Sequence, residues 1–115
     1  MTSTGFGWIK YKGKAYDNDI IITVKGEAIQ RDEKIIEKYG THHIIGKEEM
    51  QILLSGNPEI VFIGLGQNGA AEITDEAKEL IMKSKSRLVE GITPIIIKKF
   101  DEFKGKKAAL FHITC

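Results

Sequence analysis

EIVFIG, residues 59–64, is the stretch that most restricts what this chain can become. Ile60, Val61, Phe62 and Ile63 follow one another with no polar residue between them, and Gly64 closes the run. Side chains on a strand alternate between faces, with Val61 and Ile63 on one and Phe62 on the other. An unbroken apolar run of this length therefore belongs to a strand covered on both sides. The neighbouring segments supply the cover. KEEMQILLS places Met50, Leu53 and Leu54 at i, i+3, i+4 spacing behind Glu48 and Glu49, and Gly56, Asn57 and Pro58 stop it. TDEAKELIMKSK opens on Thr74 as a cap, sets Asp75 and Glu76 in the first turn, and gives Ala77, Leu80 and Ile81 as a buried stripe.

These patterns predict helices near 47–55 and 74–84, with strands near 60–64, 86–90 and 107–113. TPIIIKKFDEFKG has a β-like run of three isoleucines. Yet Thr93 reads as a cap before Pro94, Ile96, Phe100 and Phe103 keep helical spacing, and Gly105 can end a helix, so a helix over 93–104 is expected. At the amino end, β-branched and aromatic runs break at Gly13, Asp17-Asn18 and Gly26. Strands near 7–12, 19–25 and 27–31 follow, with Ile9 and Tyr11 on one face and Trp8, Lys10 and Lys12 on the other. The sum is an N-terminal β-meander followed by alternating helices and strands, an α/β layered domain.

The chain of 115 residues is read as one domain, 1–115, with no linker or repeat. At this length folding hides roughly two-thirds of the unfolded surface, enough for a core without disulfides or metal. Seventeen basic against sixteen acidic residues leave a formal charge of +1, which argues against nucleic acid as a partner. The acidic residues are spread over helix faces, and most read as solvated. One cysteine excludes an internal disulfide and fits a reducing compartment. The first residues hold no apolar run of signal-peptide length, and no run reaches membrane-spanning length, so a soluble cytoplasmic protein is expected.

Three short stretches carry side chains capable of chemistry. FHITC, 111–115, brings a histidine and the cysteine together. On an extended strand His112 and Cys115 fall on opposite faces, roughly 10 Å apart, too far to share a proton or a metal ion. Cys115 then packs as a small hydrophobe beside Phe111 and Ile113. YGTHH, 39–43, reads as a turn at Gly40-Thr41 with adjacent histidines, of which only one faces a given pocket. No zinc-ligand spacing is present, and neither a metal nor a cofactor is expected. GLGQNG, 64–69, matches G-x-G-x-x-G at Gly64, Gly66 and Gly69. AAEI intervenes before the next helix, so its first amides do not meet a pyrophosphate as a dinucleotide fold requires. A tight turn at the carboxyl end of a strand is expected instead, where a small anion can reach the loop amides.

The order FGWIKYKGKAYDNDIII, Gly26, Arg31, KYGTHH, IGLGQNG and FHITC resembles the family of adipogenesis-associated Mth domain proteins over nearly the whole chain. Relatives there include a mitochondrial respiratory complex I assembly factor. The resemblance implies a three-layer α/β fold with a mixed central sheet, and no established reaction. Eukaryotic members are linked to complex assembly or to adipocyte differentiation. The matching positions include Phe6, Gly7, Gly13, Tyr16 and Asp19. They also yield the candidate pocket: Arg31, Gly40, Thr41, His43, Gly64, Gly66, Gly69, His112, Thr114 and Cys115. His42 departs from the Ser or Glu usual in relatives. Two functional readings follow. One is a non-enzymatic interaction, assembly or regulatory domain with a protein partner. The other is a pocket for a small molecule or anion, with enzymatic use of His43 and His112, Arg31 holding an acid group and the glycine-loop amides binding negative charge.

Overall fold

The computed structural model describes residues 2–115. The EIVFIG run is strand β7 (Ile60–Leu65), parallel to β10 (Lys107–His112) on one side and to β9 (Arg87–Gly91) on the other. β10 also pairs antiparallel with β4 (Ile20–Ile22), which in turn pairs with β5 (Ala28–Gln30). The order β5-β4-β10-β7-β9 makes a mixed five-stranded sheet with β10 at its centre.

Each face of the sheet has its own cover. Phe62, Ala109, Phe111, Ile20 and Ile22 point to one side, where α4 (Thr93–Glu102) supplies Ile96, Ile97 and Phe100. The same core takes Ile9 and Tyr11 from β2 (Trp8–Tyr11), the middle strand of an antiparallel meander with β1 (Ser3–Gly5) and β3 (Lys14–Tyr16). Val61, Ile63, Ala108, Leu110 and Ile21 point to the other side. There they meet Met50 and Leu53 of α2 (Lys47–Leu54) and Ala77 and Ile81 of α3 (Asp75–Met82). The result is the three-layer α/β domain that periodicity and resemblance lead one to expect.

The structure departs from the sequence reading in instructive places. The runs at 20–22 and 28–30 do not continue the N-terminal meander; they cross into the central sheet as β4 and β5. A helix that the pattern reading passed over, α1 (Glu33–Tyr39), starts at Asp32, whose carboxylate accepts from the Lys34 amide, and ends on Gly40 in the left-handed conformation. Its signals are local, an aspartate cap and a glycine seven residues past Glu33, but a single buried side chain, Ile36, left no stripe to read. Two-residue strands β6 (Ile44–Ile45) and β8 (Glu72–Ile73) pair parallel and bring the GTHH loop beside the glycine loop. Helix α4 forms as expected despite its three isoleucines, but it is capped by Ile92, so Thr93 is its first residue rather than its cap.

Phe62 packs edge-on against Phe100, centroids 5.7 Å apart, and Phe100 stands at right angles to Phe111. Removing the Phe62 ring leaves a hole that the rigid rings of Phe100 and Phe103 beside it cannot close. Phe62→Ala is expected to lower stability by about 3–5 kcal/mol in urea unfolding. A loss under about 1 kcal/mol would place Phe62 outside the core.

Candidate functional site at the carboxyl end of the sheet

Arg31 follows the end of β5 and is buried. A guanidinium carries five N–H groups and no acceptor, so its burial requires five partners. It has them. Nε and one Nη2 hydrogen donate to the two carboxylate oxygens of Glu49, each at 2.7 Å. Nη1 donates to Asp19 Oδ2 at 2.8 Å and to the His42 carbonyl at 2.6 Å, and Nη2 also reaches the Ile44 carbonyl at 3.0 Å. Glu49, in the first turn of α2, is 0 % exposed, so the reading of the acidic residues as solvated fails here. It stands on the buried side of α2 with Met50 and Leu53, and only its ion pair makes that position tolerable.

Asp19 joins this ion pair to the tail of the chain. Its Oδ2 also accepts from His112 Nδ1 at 2.7 Å, and its Oδ1 from the Ile113 amide at 2.9 Å. Burial by itself pushes the Asp19 carboxyl up. The hydrogen bond and charge of His112, the Ile113 amide and the Arg31 guanidinium outweigh burial and hold it below the ordinary aspartate range. Burial likewise disfavours the Arg31 cation, and Glu49 and then Asp19 more than restore it. An ionised Asp19 accepts only, so His112 Nδ1 must donate, and Nε2 faces the Thr114 hydroxyl 3.2 Å away. The His43 ring stands edge-to-face on His112 with centroids 5.1 Å apart, while His42 is turned outward.

The tail does not remain an extended strand. β10 ends at His112, and beyond it the chain folds over the glycine loop. The main-chain oxygen of Cys115 accepts from the Asn68 and Ala70 amides at 2.9 and 3.1 Å, and that of Thr114 from Gln67 at 2.6 Å. Gly66 makes this approach possible. A Cβ there would lie 2.3 Å from the Cys115 carbonyl carbon and 2.9 Å from His112 Cδ2. So His112 and the Cys115 backbone meet over one residue, where straight alternation predicted opposite faces. Cys115 is half-buried rather than packed within the strand. The Gln67, Asn68 and Ala70 amides of the glycine turn, within reach of an anion on the sequence reading, are taken by the chain itself.

Thr93 locks the arrangement from the helix side. Its hydroxyl accepts from the Gly66 amide at 2.9 Å and donates to the His112 carbonyl at 2.6 Å. Gly64 is small because a Cβ would lie 2.6 Å from that hydroxyl. Of the residues singled out from the sequence, Arg31, His43, Gly66, His112, Thr114 and Cys115 thus converge, with Gly64 beneath them. Thr41 orders the GTHH loop by accepting from the His43 amide, Gly40 ends α1, and Gly69 turns the loop beside Ile92. Sequence reasoning missed Glu49 and Thr93, and left Asp19 out of the pocket. Among the described residues no three His, Cys, Asp or Glu side chains are grouped so as to hold a metal ion.

Residues 1–112 match the family described as protein of unknown function (DUF498/DUF598). The chain belongs to that family. A conserved hypothetical protein from Pyrococcus horikoshii OT3 superposes with a TM-score of 0.89 at 28% identity, over 100% of this chain and 99% of that one. The protein MT938 superposes at 0.82 with 33% identity, over 100% and 98%. An outer membrane protein from Bartonella henselae, at 17% identity and a TM-score of 0.64 over 96% and 92%, shares the fold alone. A comparison with curated proteins yields no match. In this DUF498/DUF598 chain, no helix among the described residues is long and apolar enough to cross a membrane.

The depressed Asp19 carboxyl sets an acid limit. A carboxylate held below its unfolded value stabilises the fold fully above that value, near pH 4, and loses its contribution as pH falls through the native value. Stability measured by denaturant unfolding at successive pH values is expected to fall below about pH 4. Asp19→Asn should be less stable at neutral pH and show a shallower acid slope. An unchanged slope would show that Asp19 is not held low.

Proposed function

We propose that this DUF498/DUF598 chain is a non-enzymatic interaction and assembly domain that acts in the cytoplasm on a protein partner. The observation that carries the reading is a set of large exposed apolar side chains on segments that meet at the carboxyl end of the sheet. Phe6 is 65% exposed, Trp8 44%, Ile92 36% and Ile95 50%. Their segments are tied to one another at the carboxyl end of the sheet. Gly7 donates to the Ile113 carbonyl, Gln67 Nε2 to Thr4 Oγ1, and Ile92 packs against Gly69. Large apolar side chains grouped at a surface mark contact sites. None of Asp19, Arg31, His43, Glu49 or His112 lines any of four surface clefts among the described residues. The resemblance to adipogenesis-associated Mth domain proteins, some linked to complex assembly, points the same way.

Photoreactive benzoyl-phenylalanine in place of Trp8, in the native host, should yield a discrete adduct with another protein. The same residue in place of Lys78, exposed on α3, should not. Equal adducts at both positions, or none at position 8, would overturn the reading.

A second reading, a small-molecule or anion pocket with enzymatic use of the tail, is favoured by one observation: the order Asp19–His112–Thr114. A carboxylate orients an imidazole whose other nitrogen meets a hydroxyl, the arrangement that activates a hydroxyl nucleophile. Native mass spectrometry of freshly purified protein separates the two. The bare polypeptide mass is expected for the assembly domain, and a stoichiometric retained small molecule would favour the pocket.

A further inference from the structure

The opposite end of the sheet holds a groove of about 880 Å³ that none of Asp19, Arg31, His43, Glu49 or His112 lines. It lies where β7 and β10 begin, between the β2–β3 turn, the β4–β5 turn and the loop from α4 to β10. Small-molecule sites of α/β sheets lie at the carboxyl ends of strands, so this groove is in the wrong place for one. Tyr11, Ile22 and Phe100, neighbours in one core cluster, line it together with five lysines. Two of these are occupied by the end of α4. Lys107 donates to the Phe103 carbonyl at 2.9 Å and to the Phe100 carbonyl, and Lys104 to the Asp101 carbonyl at 3.3 Å. The Asp101 carboxylate is likewise taken, by the amide and hydroxyl of Thr2. Lys12 reaches only the Gly26 carbonyl, at 3.4 Å, and Lys25 and Lys106 stand near Glu102, with the Glu59 carboxylate on the Lys106 amide. Five lysines against Asp101 and Glu102 leave the lining positive on a chain whose formal charge is only +1.

Lys12 is the independent sign that this rim has a use. Tyr11 and Lys14 pair across a two-residue turn made of Lys12 and Gly13, both at positive φ, +49° and +81°. Such a turn favours Asn or Gly at its first position, because a long side chain strains the left-handed backbone. A lysine stands there, with its ammonium 3.4 Å from the Gly26 carbonyl and over the Tyr11 ring, at the lip of the groove. A local rule broken at one rim residue of a charged groove is the pattern of a binding surface.

We propose that this groove docks an acidic segment of a partner protein. Its carboxylates pair with Lys12, Lys25 and Lys106, and an apolar side chain between them rests on the edge of the cluster formed by Tyr11, Ile22 and Phe100. Rim charges of this kind steer association and make it sensitive to salt. The site is independent of the apolar face around Trp8, which lies at the other end of β2, so a failed cross-link there leaves it standing.

The full chain, labelled with nitrogen-15, is titrated with the peptide acetyl-Glu-Glu-Phe-Glu-Glu-amide. Amide shifts are expected within 11–13, 22–26 and 100–107, weakening as salt is raised. Lys25→Glu combined with Lys106→Glu should weaken binding about tenfold. Lys12→Asn should weaken it several-fold while leaving Tm unchanged or higher, because asparagine suits the turn. The proposal fails if the peptide moves no amides in these segments. It fails equally if inorganic phosphate or oligothymidylate moves them as strongly, since that marks an unspecific cation patch. It also fails if Lys12→Asn lowers Tm and leaves binding intact, which would make Lys12 only a link between two turns.

Discussion

The Arg31 guanidinium is the interaction on which the rest of this structure depends. A buried cation is intolerable unless every N–H is matched, and here the matches come from separate parts of the chain: Asp19, Glu49, and the carbonyls of His42 and Ile44. One planar group therefore holds the entry to β4, the first turn of α2 and the GTHH loop at fixed distances. A buried ion pair contributes little net stability compared with apolar packing of the same volume. Its consequence is specificity, because any other arrangement of these segments strands a charge away from water.

The second constraint is the position of β10. The last strand enters between β4 and β7, so the sheet is completed only when the end of the described chain arrives. Asp19 connects the two constraints by accepting from Arg31 on one side and from His112 and the Ile113 amide on the other. The tail then closes over Gly66 and occupies the loop amides. What looks from a distance like a catalytic assembly is also the latch of the sheet. The same atoms serve both descriptions.

Much of the architecture was legible because it is written in periodicity. Val61 and Ile63 against Phe62, Ile9 and Tyr11 against Trp8 and Lys10, and the stripes of α2, α3 and α4 each follow from the period of one element. The same reasoning failed where that period carries little. Helix α1 buries one residue, so only its cap and terminal glycine marked it. Glu49 looked like a first-turn acid at home in water, since nothing within α2 reveals that Arg31 waits on its buried side. Thr93 looked like a cap because Thr-Pro is a common start, and its hydroxyl instead bonds partners from two other strands' ends.

The sequence by itself determined the layers, the faces of the strands and the residue types able to do chemistry, because alternation and helical spacing are properties of neighbouring residues. Only the tertiary structure decided which carboxylates meet Arg31, which histidine turns inward, that the tail rather than a ligand fills the glycine-loop amides, and that cations gather at the far end of the sheet. Those are contacts between residues distant along the chain. Their geometry depends on strand order and on how the tail folds after His112, and no local period encodes either.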